Sequence, residues 1–233
     1  VFYVKARLSL GQSRAITWAW GGGSLVCIFL APFAKENGLL AVPLIIAVEA
    51  AFLRGRKANG DVSALLYRGS QLSLALGVFA VFMYFWVNLE PIQRGYDGRA
   101  FTLKDRLLTQ PVILWDYVRQ FYWPDLSRMG VFHDDVTVYS TFVDPVWPLL
   151  AITAWVLILT MSIAAALLGS SAALSLLGVL LFYVVAHSME SSFFALELYF
   201  EHRNYLPSVA LALLPALLIG EVGRRGESLV PPL

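Results

Sequence analysis

The sequence predicts an all-α protein, a polytopic membrane helix bundle of about six transmembrane helices, and three observations carry that prediction. Hydrophobic residues make up 58% of the 233 and charged residues only 14%, against about a quarter charged in a soluble domain. Apolar runs of bilayer-crossing length, ~17 to 25 residues, recur along the chain. Lys and Arg cluster between alternate runs, as the positive-inside rule requires of a multispanning topology.

In order, the runs are Ile16–Ala34, Leu39–Leu53, Gln71–Leu89, Pro148–Leu168, Ala172–His187 and Tyr205–Gly220, the second being the shortest. Threading them through a bilayer puts Lys5, Arg7 and Arg14, the loop with Arg54, Arg56, Lys57 and Arg68, and the pair Arg224-Arg225 on the cytoplasmic side. The other side receives the turn Lys35-Glu36-Asn37-Gly38, a long loop over 90–147, and the connection from His187 to Asn204. That long extracytoplasmic loop mixes acids with bases and is rich in aromatics. Leu114, Tyr117, Val118 and Phe121 recur in it at helical spacing, and Pro111 reads as the start of the second of two short helices within Leu103–Tyr122. These are expected to be amphipathic surface helices, with Trp115, Tyr122 and Trp123 in the interfacial aromatic belt. The chain reads as one transmembrane domain, 1–233, and as a fragment of a longer protein, because it opens on Val1 and closes on Val230-Pro231-Pro232-Leu233.

Several function classes find no support. The formal net charge is +1 and the basic residues form no aromatic-interleaved stripe, so a nucleic-acid partner is excluded. Cys27 is the only cysteine and lies inside the first apolar run, which rules out an intramolecular disulfide. Neither a P-loop, a dinucleotide fingerprint, an HExxH nor a nucleophile elbow occurs.

Polar residues at membrane depth are costly and by default mark a functional site. They gather in two places here. In the first turn, Lys35 is a candidate for a lipid phosphate and Glu36 for an acceptor or metal, although Pro32 and Gly38 also make this an ordinary helix reversal. In the last connection, Glu190, Glu197 and Glu201 fall at i, i+7 and i+11, which on a helix places three carboxylates on one stripe. Such a stripe needs compensating cations, from His187, His202 and Arg203 or from a metal. Two readings fit: a structural ion-pair network, or a site where Arg203 forks a phosphate while carboxylates and Asn204 bind hydroxyls. His133-Asp134-Asp135 is a candidate divalent-cation site, for Mg²⁺ or Mn²⁺, or else a polar turn. Glu49 reads as a snorkelling or ion-paired residue near Arg54 and Arg56.

At Ala34-Lys35-Glu36-Asn37 with Glu49 downstream, at Leu108-Thr109-Gln110-Pro111, at Phe132-His133-Asp134-Asp135, at His187-Ser188-Met189-Glu190-Ser191, and at Glu197 through Pro207, the chain resembles a known group. It is similar to multispanning glycosyltransferases of the GT-C type, the bacterial relatives of the transmembrane O-mannosyltransferases that carry tetratricopeptide repeats. The likeness runs from about Ala34 to Pro207. It implies a polyprenyl phosphate sugar donor held in membrane lipid, a protein or glycan acceptor, and transfer on the extracytoplasmic face, here of a bacterial inner membrane. Glu36, Glu190 and Glu201 then become the catalytic candidates, and Lys35, His202, Arg203, Asn204 and Tyr205 the donor and phosphate candidates. The family's essential acid sits in the loop after its first span and its repeats follow the membrane domain; both are expected outside this fragment. The competing expectation is a transporter or a non-enzymatic membrane assembly component.

Overall fold

A computed structural model of the chain describes residues 1–11, 13–55, 63–128, 130 and 136–227. It is all helical, and among the described residues no strand occurs. Among the described residues four segments are long and apolar enough to cross a membrane: Arg14–Ala34, Glu36–Leu53, Ala64–Val87 and Trp147–Leu167. Ser171–His187 and Ser208–Gly220, the remaining two expected spans, are apolar helices of shorter length. The chain divides into two compact units, Val1–Phe82 and Met83–Leu233.

The first unit begins with α1 (Phe2–Leu8), which packs along α2 (Arg14–Ala34). Phe2 stacks on Trp20 with ring centroids 5.5 Å apart, and the Lys5 ammonium sits 4.4 Å from the same indole. Ser13 caps α2, accepting from the Ile16 amide. The chain then reverses through extended Lys35, where the Gly38 amide donates to the Lys35 carbonyl at 2.8 Å. Only glycine fits at position 38, because a Cβ there would lie 2.2 Å from the carbonyl carbon and oxygen of Ala31. A 3₁₀ turn (Glu36–Leu40), α3 (Ala41–Val48) and a π-helical turn (Glu49–Leu53) follow.

Glu49 opens that π turn and is buried. Its carboxylate accepts from Arg7 Nε at 2.7 Å and Nη2 at 2.8 Å, from the Tyr3 hydroxyl at 2.8 Å and from the Gly55 amide at 2.9 Å. The ion pair expected of Glu49 is therefore present, with Arg7 of α1 as its partner; of the arginines that the sequence placed near it, Arg56 lies outside the described residues. A buried carboxylate is stable only with such saturation. Burial and the bond to Glu49 together push the Tyr3 phenol well above its ordinary value.

The second unit takes in the end of α4 (Ala64–Val87), then α5 (Leu89–Arg94), α6 (Leu103–Tyr122), α7 (Trp147–Leu167), α8 (Ser171–His187) and α9 (Ser208–Glu227). α6 organises it. Thr102 and Asp105 form a reciprocal capping box at its start, and those bonds hold the Asp105 carboxyl below its usual range although burial, the largest influence, acts the other way. The sequence pattern divides α6 at Pro111, yet it is one 20-residue helix with Pro111 inside. The amide bond that a proline forfeits runs to the residue four back, here Leu107, which is exposed on the outer side of the helix.

The inner side of α6 docks on three neighbours. Trp115 stacks on Trp155 of α7 at 4.3 Å, and each indole donates to a carbonyl of the other's helix, Trp115 to Ala151 at 3.2 Å and Trp155 to Pro111 at 3.1 Å. Tyr183 of α8 donates to the Leu114 carbonyl at 2.9 Å, and Tyr122 to the Leu211 carbonyl of α9 at 2.6 Å. Trp115 and Tyr122, read from the sequence as interfacial anchors, are thus spent on packing inside this unit. Trp123 is exposed.

Candidate functional site

The connection between α8 and α9 is not the helix that would align Glu190, Glu197 and Glu201. Apart from a 3₁₀ turn at Glu201–Asn204 it is irregular, and the expected stripe of three carboxylates does not form. The reason lies in long-range hydrogen bonding. Arg106, fully buried on α6, donates to the carbonyls of Ser192 at 2.7 Å, Glu197 at 3.3 Å, Leu196 and Glu190. Gln110 donates to Leu198 O at 2.9 Å, Tyr117 to Phe200 O at 2.9 Å, and Tyr96 to Phe193 O at 2.8 Å. The Phe200 amide donates back to the Tyr117 hydroxyl at 3.0 Å. Side chains of α6 thus do for this segment what neighbouring turns do in a helix: they satisfy its buried backbone carbonyls.

One acid and an arginine are packed under this arch, and a second acid beside them is half exposed. The Arg203 side chain, 8% exposed, lies 3.3 Å from the Glu190 carboxylate, also 8% exposed, and 3.5 Å from that of Glu197. Arg203 also donates to the Glu197 carbonyl and covers the face of Phe200. Arg99 completes the group from the other side of Glu197, at 2.9 Å. The Arg99 bond is the main cause that holds the Glu197 carboxyl below its usual range. Desolvation pushes the Arg106 guanidinium down to about 10 and the Tyr117 phenol up to about 12. This geometry matches the ion-pair network that the sequence offered as one of two readings, and it directs Arg203 inward.

On the other side of the connection is an open cleft of about 400 Å³, lined by Tyr117, Gln120 and Phe121 of α6, by Tyr199, Glu201, His202, Asn204 and Tyr205, and by Ser208 of α9. The Tyr117 and Tyr199 rings lie 4.7 Å apart, and Tyr199 donates to Asp116 at 3.1 Å. Burial and that carboxylate raise the Tyr199 phenol. Glu201 accepts from the Gly130 amide at 3.1 Å, and the Asn204 amide donates to Tyr117 O at 3.4 Å. Behind the cleft the His187 imidazole is buried, stacked on Tyr117 at 5.4 Å with its Nδ1 3.3 Å from Ser191 Oγ.

No family model matches the chain, and no curated protein or solved structure matches it at a significant level. Of the residues singled out from the sequence, Glu201, His202, Asn204 and Tyr205 share the cleft, while Glu190 and Arg203 pair beneath the connection. Lys35 and Glu36 lie in the first unit, exposed at the Gly38 reversal. His133, Asp134 and Asp135 lie outside the described residues. Among the described residues no group of three His, Cys, Asp or Glu side chains is placed to hold a metal ion.

Sequence reasoning missed Arg106, Gln110 and Tyr117, which fix the connection, and Gln120 and Phe121, which line the cleft. A signal was present. Arg106, Gln110, Ile113 and Tyr117 fall at i, i+4, i+7 and i+11, so hydrogen-bonding groups occupy the buried stripe of an amphipathic helix. Polar groups there require partners.

Proposed function

We propose that the chain is the membrane domain of a glycosyltransferase that moves a sugar from a polyprenyl-phosphate-linked donor to an acceptor on the extracytoplasmic side. The observation that supports this most is the cleft itself, where an acid, an imidazole and amides meet aromatic rings at the ends of apolar helices. Six spans are part of the proposal. Ser171–His187 has 17 residues, the lower end of the ~17 to 25 that cross a bilayer. In that topology α6 lies along the membrane surface, apolar face inward, and the cleft opens to the extracytoplasmic leaflet.

Glu201 takes the proton of the acceptor hydroxyl as general base. The acceptor oxygen bonds to the anomeric carbon, the bond from that carbon to the phosphate oxygen breaks, and polyprenyl phosphate leaves with the electron pair. His202, beside Glu201 in the cleft, hydrogen-bonds a hydroxyl of the acceptor and orients it for attack. Glu190 and Arg203 act from below by holding the connection in shape. A solute path would place ionisable groups near mid-span. Glu49, the buried acid of the Glu36–Leu53 segment, sits in its last turn and is engaged by Arg7, which supports the transferase over the transporter.

A photoreactive polyprenyl phosphate sugar tests the placement. Crosslinks on peptides covering 117–121 and 199–208 are expected, and labelling confined to other segments removes the cleft from the mechanism.

A further inference from the structure

A polypeptide that binds in extended form adds a strand to a free backbone edge or buries anchoring side chains in pockets. The connection beside the cleft offers it little edge. Its carbonyls at Ser192, Phe193, Leu196, Glu197, Leu198 and Phe200 already accept from Tyr96, Arg106, Gln110 and Tyr117. The cleft offers ring faces instead. Tyr205 is 83% exposed and Phe121 37% exposed at its mouth, with Glu201, His202 and Gln120 beside them.

A pyranose has apolar C–H faces and a hydroxyl edge, so it stacks on an aromatic face while its hydroxyls bond to carboxylate and imidazole. A cleft of about 400 Å³ falls in the range of small-ligand sites, ~300 to 1,000 Å³. Phosphate asks for fixed positive charge in a fork of donors. Arg203, next to the lining residues in sequence, spends its fork on Glu190 and Glu197.

We propose that this cleft holds a neutral pyranose ring of a glycan, stacked on Tyr205 and Phe121 and bonded through its hydroxyls to Glu201 and His202. The assignment rests on the sugar-transfer reading in one respect: it makes that glycan the acceptor, so the chain extends saccharides rather than modifying protein hydroxyls.

The test uses the full chain in lipid nanodiscs and three neutral trisaccharides as probes: maltotriose, cellotriose and chitotriose. Binding is read by saturation-transfer NMR, with a Ser/Thr-containing extended peptide and inorganic phosphate as competitors. At least one trisaccharide should bind saturably, with the strongest transfer at the C–H protons of a terminal ring. Tyr205→Ala should weaken its affinity about tenfold, the scale of one aromatic contact, and Tyr205→Phe should retain it because the ring face remains. The exposure of Tyr205 keeps both variants folded. Failure of all three sugars to bind, indifference to Tyr205→Ala, or displacement by the peptide or by phosphate overturns the proposal. Sugar transfer assayed in parallel separates the two ideas. Saccharide binding without transfer defeats the transferase and leaves the saccharide site standing, and transfer to protein without saccharide binding does the reverse.

Discussion

Replacing Arg106 by Met removes the guanidinium that ties α6 to the connection before α9 and leaves an unbranched side chain to fill the space. The carbonyls of Ser192, Leu196 and Glu190 lose the bond from Arg106, and that of Glu197 keeps the one from Arg203. A hydrogen bond to a charged group contributes about 1.5–3 kcal/mol, and a buried acceptor left bare costs about 1–3 kcal/mol. Against this, the variant no longer buries a cation, whose desolvation opposes folding by several kcal/mol. The balance is a loss of about 4 kcal/mol, the lost bonds and bare acceptors outweighing the relief of the buried cation. A free-energy change of that size opens the connection about a thousandfold more often. Hydrogen exchange followed by mass spectrometry on the protein in nanodiscs reads this directly: amides of residues 190–200 should lose protection while those of α2 keep theirs. Arg106→Lys retains the charge but not the planar fork, so its loss should be partial. Unchanged protection over 190–200 in Arg106→Met would refute the claim that α6 holds this segment in place.

The remaining predictions concern other joints. Gly38→Ala should cost about 3 kcal/mol, the scale of an overpacked site, since its methyl would lie 2.2 Å from the Ala31 carbonyl group; yield of folded protein equal to wild type would contradict the tight reversal. Arg203→Ala should destabilise by about 3–5 kcal/mol by breaking its buried pair with the Glu190 carboxylate, Arg203→Lys by less, and the double variant Glu190→Leu with Arg203→Met should recover most of the loss; recovery absent from the double variant would count against the pair. Because the Glu197 carboxyl is held below its ordinary value by Arg99, its contribution to stability is fully present above about pH 4.3 and fades as the pH falls through the lowered value. Thermal melts of wild type and Arg99→Met should therefore converge in acid and separate above that range.

How much of this was legible beforehand differs from element to element. All six apolar runs became helical, because a continuous apolar run of about fifteen or more residues is best satisfied by a helix, which closes its backbone hydrogen bonds within the segment. The glycine of the first reversal was also legible, since Pro32 and Gly38 bracket a turn of only a few residues. Pro111 misled, as a proline inside a helix costs one bond, and α6 loses it on the exposed Leu107 side while its capped start and buried stripe hold the helix together. The connection misled for a different reason. Glu190, Glu197 and Glu201 have helical spacing, but the carbonyls of that segment are satisfied by side chains more than eighty residues earlier in the chain, and no local pattern records such partners. Of the candidate site, Glu201, His202, Asn204 and Tyr205 were legible as a polar cluster against an apolar run. The division of that cluster, with Arg203 below the connection and its neighbours in the cleft, depends on the irregular path and was not.

The most direct test of the account is release of polyprenyl phosphate from a radiolabelled polyprenyl phosphate sugar by the full chain in proteoliposomes, with a glycan acceptor present and wild type compared with Glu201→Gln. The amide keeps the side chain's size and its bond from Gly130 but accepts no proton. Wild type should release polyprenyl phosphate only with acceptor present, and Glu201→Gln should fall by about a hundredfold or more, the range of a lost general base, with both proteins equally folded. Equal release from the two proteins, or none that depends on the acceptor, would contradict it.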